Sequence, residues 1–176
     1  MSRVLVCGGV SRVGSEVVRR LLADPAYDVR VADRKQAPQW MREACEIRSV
    51  DLSLPEQAHA AMDGCSHVIH LASPSTDSET ADFSLLADSA AIDSSLLRAA
   101  LSLRVERFVY VSCACALEGQ EKSADGFAKL LGERLCQAAG TEHGLPFSIC
   151  RPAASPAAAI EEVAAEIVVA LSAAPD

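Results

Sequence analysis

Short runs of β-branched and apolar residues alternate with longer Ala/Leu-rich stretches along the whole chain. This alternation predicts βαβ units and a parallel sheet, with strands near 3–7, 28–32, 45–50, 67–71, 107–112 and 146–150. Each run reads as a strand covered on both faces by helices. Helices follow from spacing. Val13, Val17, Val18, Leu21 and Leu22 form one apolar stripe, Phe127, Leu130, Leu131 and Leu135 another, and both are expected to face the sheet. A last helix carries Ile160, Val163, Ala164, Ile167 and Leu171 on its covered side and Glu161, Glu162 and Glu166 on its wet side. The expected fold is α/β: a doubly wound parallel sheet of about six strands, helices on both faces, as one domain over 1–176 without a separate substrate domain.

The first strand ends in a turn with glycines at 8, 9 and 14 and Ser11 between them. A glycine turn that follows a strand and opens a helix is the phosphate-binding element of a Rossmann-type dinucleotide site. Gly8 permits the tight turn, Gly14 lets the helix pack closely, and the helix N-terminus at Arg12 and Val13 faces the anion. Ser11 occupies the position where a residue without Cβ lets backbone approach a pyrophosphate; it either crowds the phosphate or offers its hydroxyl as a donor. Asp33, at the end of the second strand, can accept bonds from the adenosine ribose or simply cap a turn. Its charge disfavours the extra phosphate of NADP, while Arg34, Lys35 and Arg12 work against that preference. NAD is therefore the expected cofactor, with NADP also admitted. The turn-forming stretch 73–80 follows the fourth strand directly and is a candidate lid or a plain surface connection.

A formal charge of −8 and the lack of any Lys/Arg cluster argue against nucleic acid or an anionic membrane as partner. Strand-like sequence from Arg3 leaves no room for a signal peptide, and the apolar stretch from Val163 to Leu171 is short and broken by Glu166, so a cytoplasmic protein is expected. The seven cysteines include no CxxC pair and mostly sit in apolar segments. They are expected to be reduced and buried, holding neither disulfide nor metal.

Taken in order along the chain, the motifs resemble the extended short-chain dehydrogenase/reductase superfamily, in its NAD-dependent epimerase/dehydratase branch. CGGVSRVG at 7–14 resembles TGGxGxxG, VDLS at 50–53 the segment near the adenine, and HVIHLAS at 67–73 the fourth strand. RFVYVSCA at 107–114 resembles the strand that ends in a catalytic Ser/Thr; DGFAKLLGERL at 125–135 resembles YGxSKLxGExL, and LPFSICRPA at 145–153 the sixth strand with its Arg-Pro. The resemblance adds Asp51, Leu52, Leu71, Ala72 and Ser73 to the cofactor site, and Lys129 as the residue that holds the nicotinamide ribose. It also implies a homodimer through helices around 83–103 and 124–142, a hetero-complex being the other way to complete a pocket.

Three departures limit what the resemblance carries over. Asp125 stands in place of the catalytic tyrosine, leaving Tyr27 and Tyr110 as the only phenols. A phenol and a carboxylic acid titrate near pH 10 and pH 4, a gap of about 8 kcal/mol in basicity, so Asp125 is no equivalent base; it reads better as a surface i,i+4 partner of Lys129. Cys113 replaces the Ser/Thr, a poor hydrogen-bond donor and at most a nucleophile. Only 26 residues follow Cys150, and Arg151-Pro152 runs almost directly into EEVAAEIVVAL at 161–171, so the family's substrate-binding region is expected to be missing. His70 and His143 read as structural. Two functions remain open: an atypical NAD(P)-dependent enzyme on an unknown small-molecule substrate, with Lys129, Cys113 and Asp125 as candidate catalytic residues, or a non-catalytic dinucleotide-sensing or scaffold module.

Overall fold

The structure, a computed structural model, describes residues 1–74, 83–116, 123–152 and 160–173. Its strands are β1 (Ser2–Cys7), β2 (Tyr27–Asp33), β3 (Glu46–Ser49), β4 (His67–His70), β5 (Arg107–Val111) and β6 (Phe147–Cys150). All five strand pairings are parallel, in the order β3-β2-β1-β4-β5-β6. The helices are α1 (Arg12–Leu22), α2 (Gln39–Ala44), α3 (Pro55–Met62), α4 (Phe83–Leu103), α5 (Ala124–His143) and α6 (Ile160–Ser172). The chain winds outward from β1 to β3 and returns to place β4 on the other side of β1. That reversal opens a crevice at the carboxyl ends of β1 and β4.

Alternation along the strands builds a core on each face. Leu5, Cys7, Val68, Phe108 and Tyr110 pack toward α3, α4 and α5; Val4, Val6, Val31, Ile69 and Val109 pack toward α1 and α6. The first stripe faces the sheet, with Val17, Val18 and Leu21 fully buried, and α6 covers α1 with Ala164, Ile167 and Leu171. β3 departs from the expectation of two covered faces. As the edge strand it exposes Glu46, Arg48 and Ser49, charged and polar residues that suit an edge.

The stripe on α5 is a correction. Phe127 and Leu131 point outward, 51% and 41% exposed, while Gly126, Ala128, Gly132, Cys136 and Ala139 form the buried side. The cause is the closeness of the helix to its neighbours: a Cβ at Gly132 would run into the Tyr110 hydroxyl and the Asp93 carboxylate. At Gly132 only a residue without a side chain fits, so Phe127 and Leu131 are displaced outward, while Leu135 still packs against the core and Glu133 is buried on Arg151. Among the described residues, no helix is long and apolar enough to cross a membrane.

Candidate cofactor site

A cavity of about 530 Å³ lies in the crevice beside β1, β2 and β4. Gly8, Ser11, Asp33, Arg34, Asp51, Leu52, Leu71, Ala72 and Ser73 line it, so most of the expected cofactor residues converge on one space. Arg12, Val13 and Gly14 form the first turn of α1 behind Ser11 and are not in the lining. Lys35, Val50, Pro74 and Ile92 complete the wall. Of these, Lys35 was visible in sequence as a neighbour of Asp33. Ile92 carries no local signal, because it arrives from the middle of α4. Residues 75–80 of the candidate lid lie outside the described residues.

Gly8 is what brings the two walls together. It adopts φ +80°, and a Cβ there would sit 2.7 Å from the backbone nitrogen of Ala72. Ser11 is the N-cap of α1: its Oγ accepts from Gly14 N–H at 3.1 Å and donates to the Gly8 carbonyl at 2.8 Å. Its donor is thus spent inside the turn. Asp33 joins the two strand ends, with Oδ2 accepting from Val10 N–H at 3.0 Å and Oδ1 from Lys35 N–H at 2.9 Å. The carboxylate caps the turn and faces the cavity at once. Asp51 accepts from Ser53 N–H at 3.0 Å and Ser53 Oγ at 2.7 Å. Those hydrogen bonds, helped by the charge of Arg34, lower its pKa and keep it ionised.

The other expected site residues gather at the β5–α5 end. Lys129 does not line the cavity. Its Nζ donates to the Val111 carbonyl at 3.1 Å and lies 5.4 Å from the centre of the Tyr110 ring. Burial lowers its pKa, while Asp93 and Asp125 pull the other way. Lys129 is therefore turned inward against β5 rather than lying on the surface, while still feeling the charge of Asp125 one turn away. Asp125 itself is exposed in the first turn of α5, where a carboxylate suits the positive end of the helix. Cys113 is disulfide-bonded, unlike the free Cys7, Cys45, Cys65, Cys136 and Cys150. This overturns the expectation of seven reduced thiols and leaves sulfur that neither donates a hydrogen bond nor attacks. Cys113 lies just beyond the end of β5. The buried cysteines behave as foreseen, burial raising the thiol of Cys150 to about 11.

Between β4, β5 and α4 lies a buried polar cluster of the kind sequence reading passes over. His70, 1% exposed, binds Asp93 Oδ1 through Nε2 at 2.7 Å, and Tyr110 donates to Asp93 Oδ2 at 3.4 Å. Burial, then the charge of Asp93, raises the Tyr110 pKa, so this phenol stays protonated. It is also 2% exposed and cannot replace a catalytic tyrosine. His143 ends α5 ahead of Gly144, which closes the helix in the left-handed conformation. Among the described residues, no group of three or more His, Cys, Asp or Glu is placed to hold a metal.

The fold has many solved counterparts. UDP-glucose 4-epimerase from Thermus thermophilus, solved in complex with NAD, is 27% identical with a TM-score of 0.73, over 85% of this chain and 54% of the other. A short-chain dehydrogenase/reductase superfamily protein from Agrobacterium tumefaciens, with bound NAD, is 25% identical with a TM-score of 0.73, over 85% and 48%. UDP-glucose 4-epimerase from Thermotoga maritima is 20% identical with a TM-score of 0.74 and shows the shared fold, over 85% and 54%. The chain thus spans about half the length of these proteins. No curated protein matches it significantly. Residues 4–157 match the NAD dependent epimerase/dehydratase family, and with that match, the strand order and the glycine turn, the chain belongs to this family.

Proposed function

We propose that the protein binds NAD in the cavity beside β1, β2 and β4 and does not carry out tyrosinate-based alcohol oxidation. The observation that carries the reading is the convergence of the Gly8–Ser11 turn, Asp33 and Asp51 on one cavity. The residues suit the cofactor: α1 offers its N-terminus to a pyrophosphate, Asp33 and Asp51 offer acceptors to ribose or adenine, and Val50, Leu52 and Ile92 offer apolar walls to a flat ring. Bound NAD supplies hydride exchange at its nicotinamide. What this chain supplies is the cradle and its polarity.

A binding role is favoured over catalysis by the β5–α5 end, where Cys113 is disulfide-bonded, Lys129 is bonded to a backbone carbonyl and Asp125 is a weak base. Any substrate would be a small molecule, and nucleotide sugars are the class suggested by the epimerases of similar structure. The exposed Phe127 and Leu131 on α5, with Phe83 at the start of α4, support a homodimer built on these helices.

Titration with NAD, followed by Trp40 fluorescence and by thermal shift, tests binding. Saturable quenching with a rise in Tm supports the reading, and no response up to millimolar NAD defeats it. Robust reduction of NAD by the unmodified protein in the presence of a nucleotide sugar would show that catalysis survives. Light scattering across dilution tests the dimer, which a monomer mass at every concentration would exclude.

A further inference from the structure

We propose that α4 acts as a bracket for the cavity, with Asp93 and Ser95 as positioning residues that set the spacing of its walls through His70 and Ser53; this rests on the dinucleotide reading above. Neither Asp93 nor Ser95 lines the cavity. The buried side of α4 is made of Ile92, Leu96, Leu97, Ala99 and Ala100, and among these apolar residues lie Asp93 and Ser95, 3% and 4% exposed. Polar groups in an apolar layer are costly unless they are paired. Here each pairs with a different stretch of the cavity wall.

Asp93 Oδ1 accepts from His70 Nε2–H at 2.7 Å. His70 is the last residue of β4, directly before Leu71 and Ala72 of the wall. Ser95 Oγ donates to the Ser53 carbonyl at 3.0 Å. Ser53 directly follows Asp51 and Leu52, which also line the cavity, and it holds the Asp51 carboxylate through its own N–H and Oγ. One buried face of α4 therefore grips both stretches, and Ile92, one residue before Asp93, is its own contribution to the lining. The His70 ring is packed edge-on to Phe108 and Tyr110, and its Nδ1 has no partner among the described residues, so the bond to Asp93 is the polar contact that fixes it. Tyr110 meets Asp93 through the other oxygen, Oδ2, at 3.4 Å, and that side serves packing rather than the cavity. A cavity held in shape before the ligand arrives loses less ordering free energy on binding. Loosening either contact should therefore weaken NAD binding without removing any group of the lining.

Calorimetric titration of the full chain with NAD, run beside thermal denaturation, is the test. Ser95→Ala, which keeps a good helix former in α4, should weaken NAD binding by about threefold, and Asp93→Leu by about tenfold. Asp93→Asn keeps a carbonyl oxygen for His70 and should stay within about twofold of the wild type. Tyr110→Phe, which removes only the contact to Oδ2, should lower Tm and leave the Kd for NAD unchanged. Should Asp93→Leu fail to fold, Ser95→Ala decides. A wild-type Kd in Ser95→Ala or Asp93→Leu, a loss in Asp93→Asn as large as in Asp93→Leu, or an equal loss in Tyr110→Phe would each overturn the proposal while leaving NAD binding intact. Failure of the unmodified protein to bind NAD would defeat the underlying reading as well.

Discussion

The β1–β2–β4 and β5–α5 regions of the molecule are organised in opposite ways. At the β1–β2–β4 end, the glycine turn, Asp33 and the β4 carboxyl end meet around one cavity, and Ser11, Asp33 and Asp51 are each positioned there by hydrogen bonds the fold itself supplies. At the β5–α5 end, the chemistry is dispersed: Asp125 faces solvent, Lys129 turns inward and Cys113 is tied in a disulfide. The helix carrying two of these residues is nevertheless packed closely against its neighbours, at Gly132 on Tyr110 and Asp93 and at Gly140 on Phe147. One end is therefore held by hydrogen bonds around a cavity and the other by packing. Changes at the second end should cost stability, and changes at the first should cost binding.

The largest expected effect is at Gly132. Gly132→Ala drives a Cβ into Tyr110 and Asp93, both buried, and should destabilise by about 3 kcal/mol, read as a fall in Tm of about 10 °C. NAD affinity of the folded fraction should change little. If affinity collapses while Tm holds, the division between the two ends is wrong. Gly8→Ala comes next and belongs to the other end. Its positive φ and its closeness to Ala72 imply a loss of about 2 kcal/mol, with NAD binding weakened by more than the stability loss explains, because the cradle itself is distorted.

Lys129 sharpens the comparison through pH. Its folded pKa is lowered, so between that value and the ordinary value near 10.5 the unfolded chain binds the extra proton. Stability contributed by this group therefore rises with pH across that window. Tyr110 and Cys136, whose pKa values are raised by burial, act in the opposite sense in alkali. Subtracting the denaturation profile of Lys129→Met from that of the wild type isolates the lysine: the difference should shift in favour of the wild type as pH climbs from 8 to about 10.5. A flat difference would mean that the ammonium is solvated. At neutral pH the net change should stay within about 1 kcal/mol, a lost hydrogen bond set against a relieved burial cost.

Sequence reading served the first end better than the second for a physical reason. Strand runs, the glycine turn and Asp33 are local signals, and all six strands lie where the apolar runs place them. The α5 stripe was legible as a stripe but not as a direction. Which face of that helix meets the sheet is decided by the bulk of Tyr110 and Asp93, residues from two other elements. The His70–Asp93 pair was hidden for the same reason: 23 residues separate its members, and nothing local marks Asp93 as buried. Ile92, in the cavity wall, is equally the product of tertiary packing.

The smallest effect should come from Ser11, where the sequence left two roles open. The serine hydroxyl accepts from Gly14 N–H and donates to the Gly8 carbonyl, so it closes the turn on itself and presents its Cβ where a phosphate would approach. Ser11→Gly removes that Cβ and frees the Gly14 N–H at the helix N-terminus. Glycine is itself a tolerable N-cap, so the cost to α1 should be a few tenths of a kcal/mol, and NAD affinity should tighten by about threefold. Titration of the variant beside the wild type decides between the roles. A constant that weakens instead would mean the hydroxyl rotates away from Gly8 on binding and serves the phosphate directly, making the serine an adapted ligand of this turn.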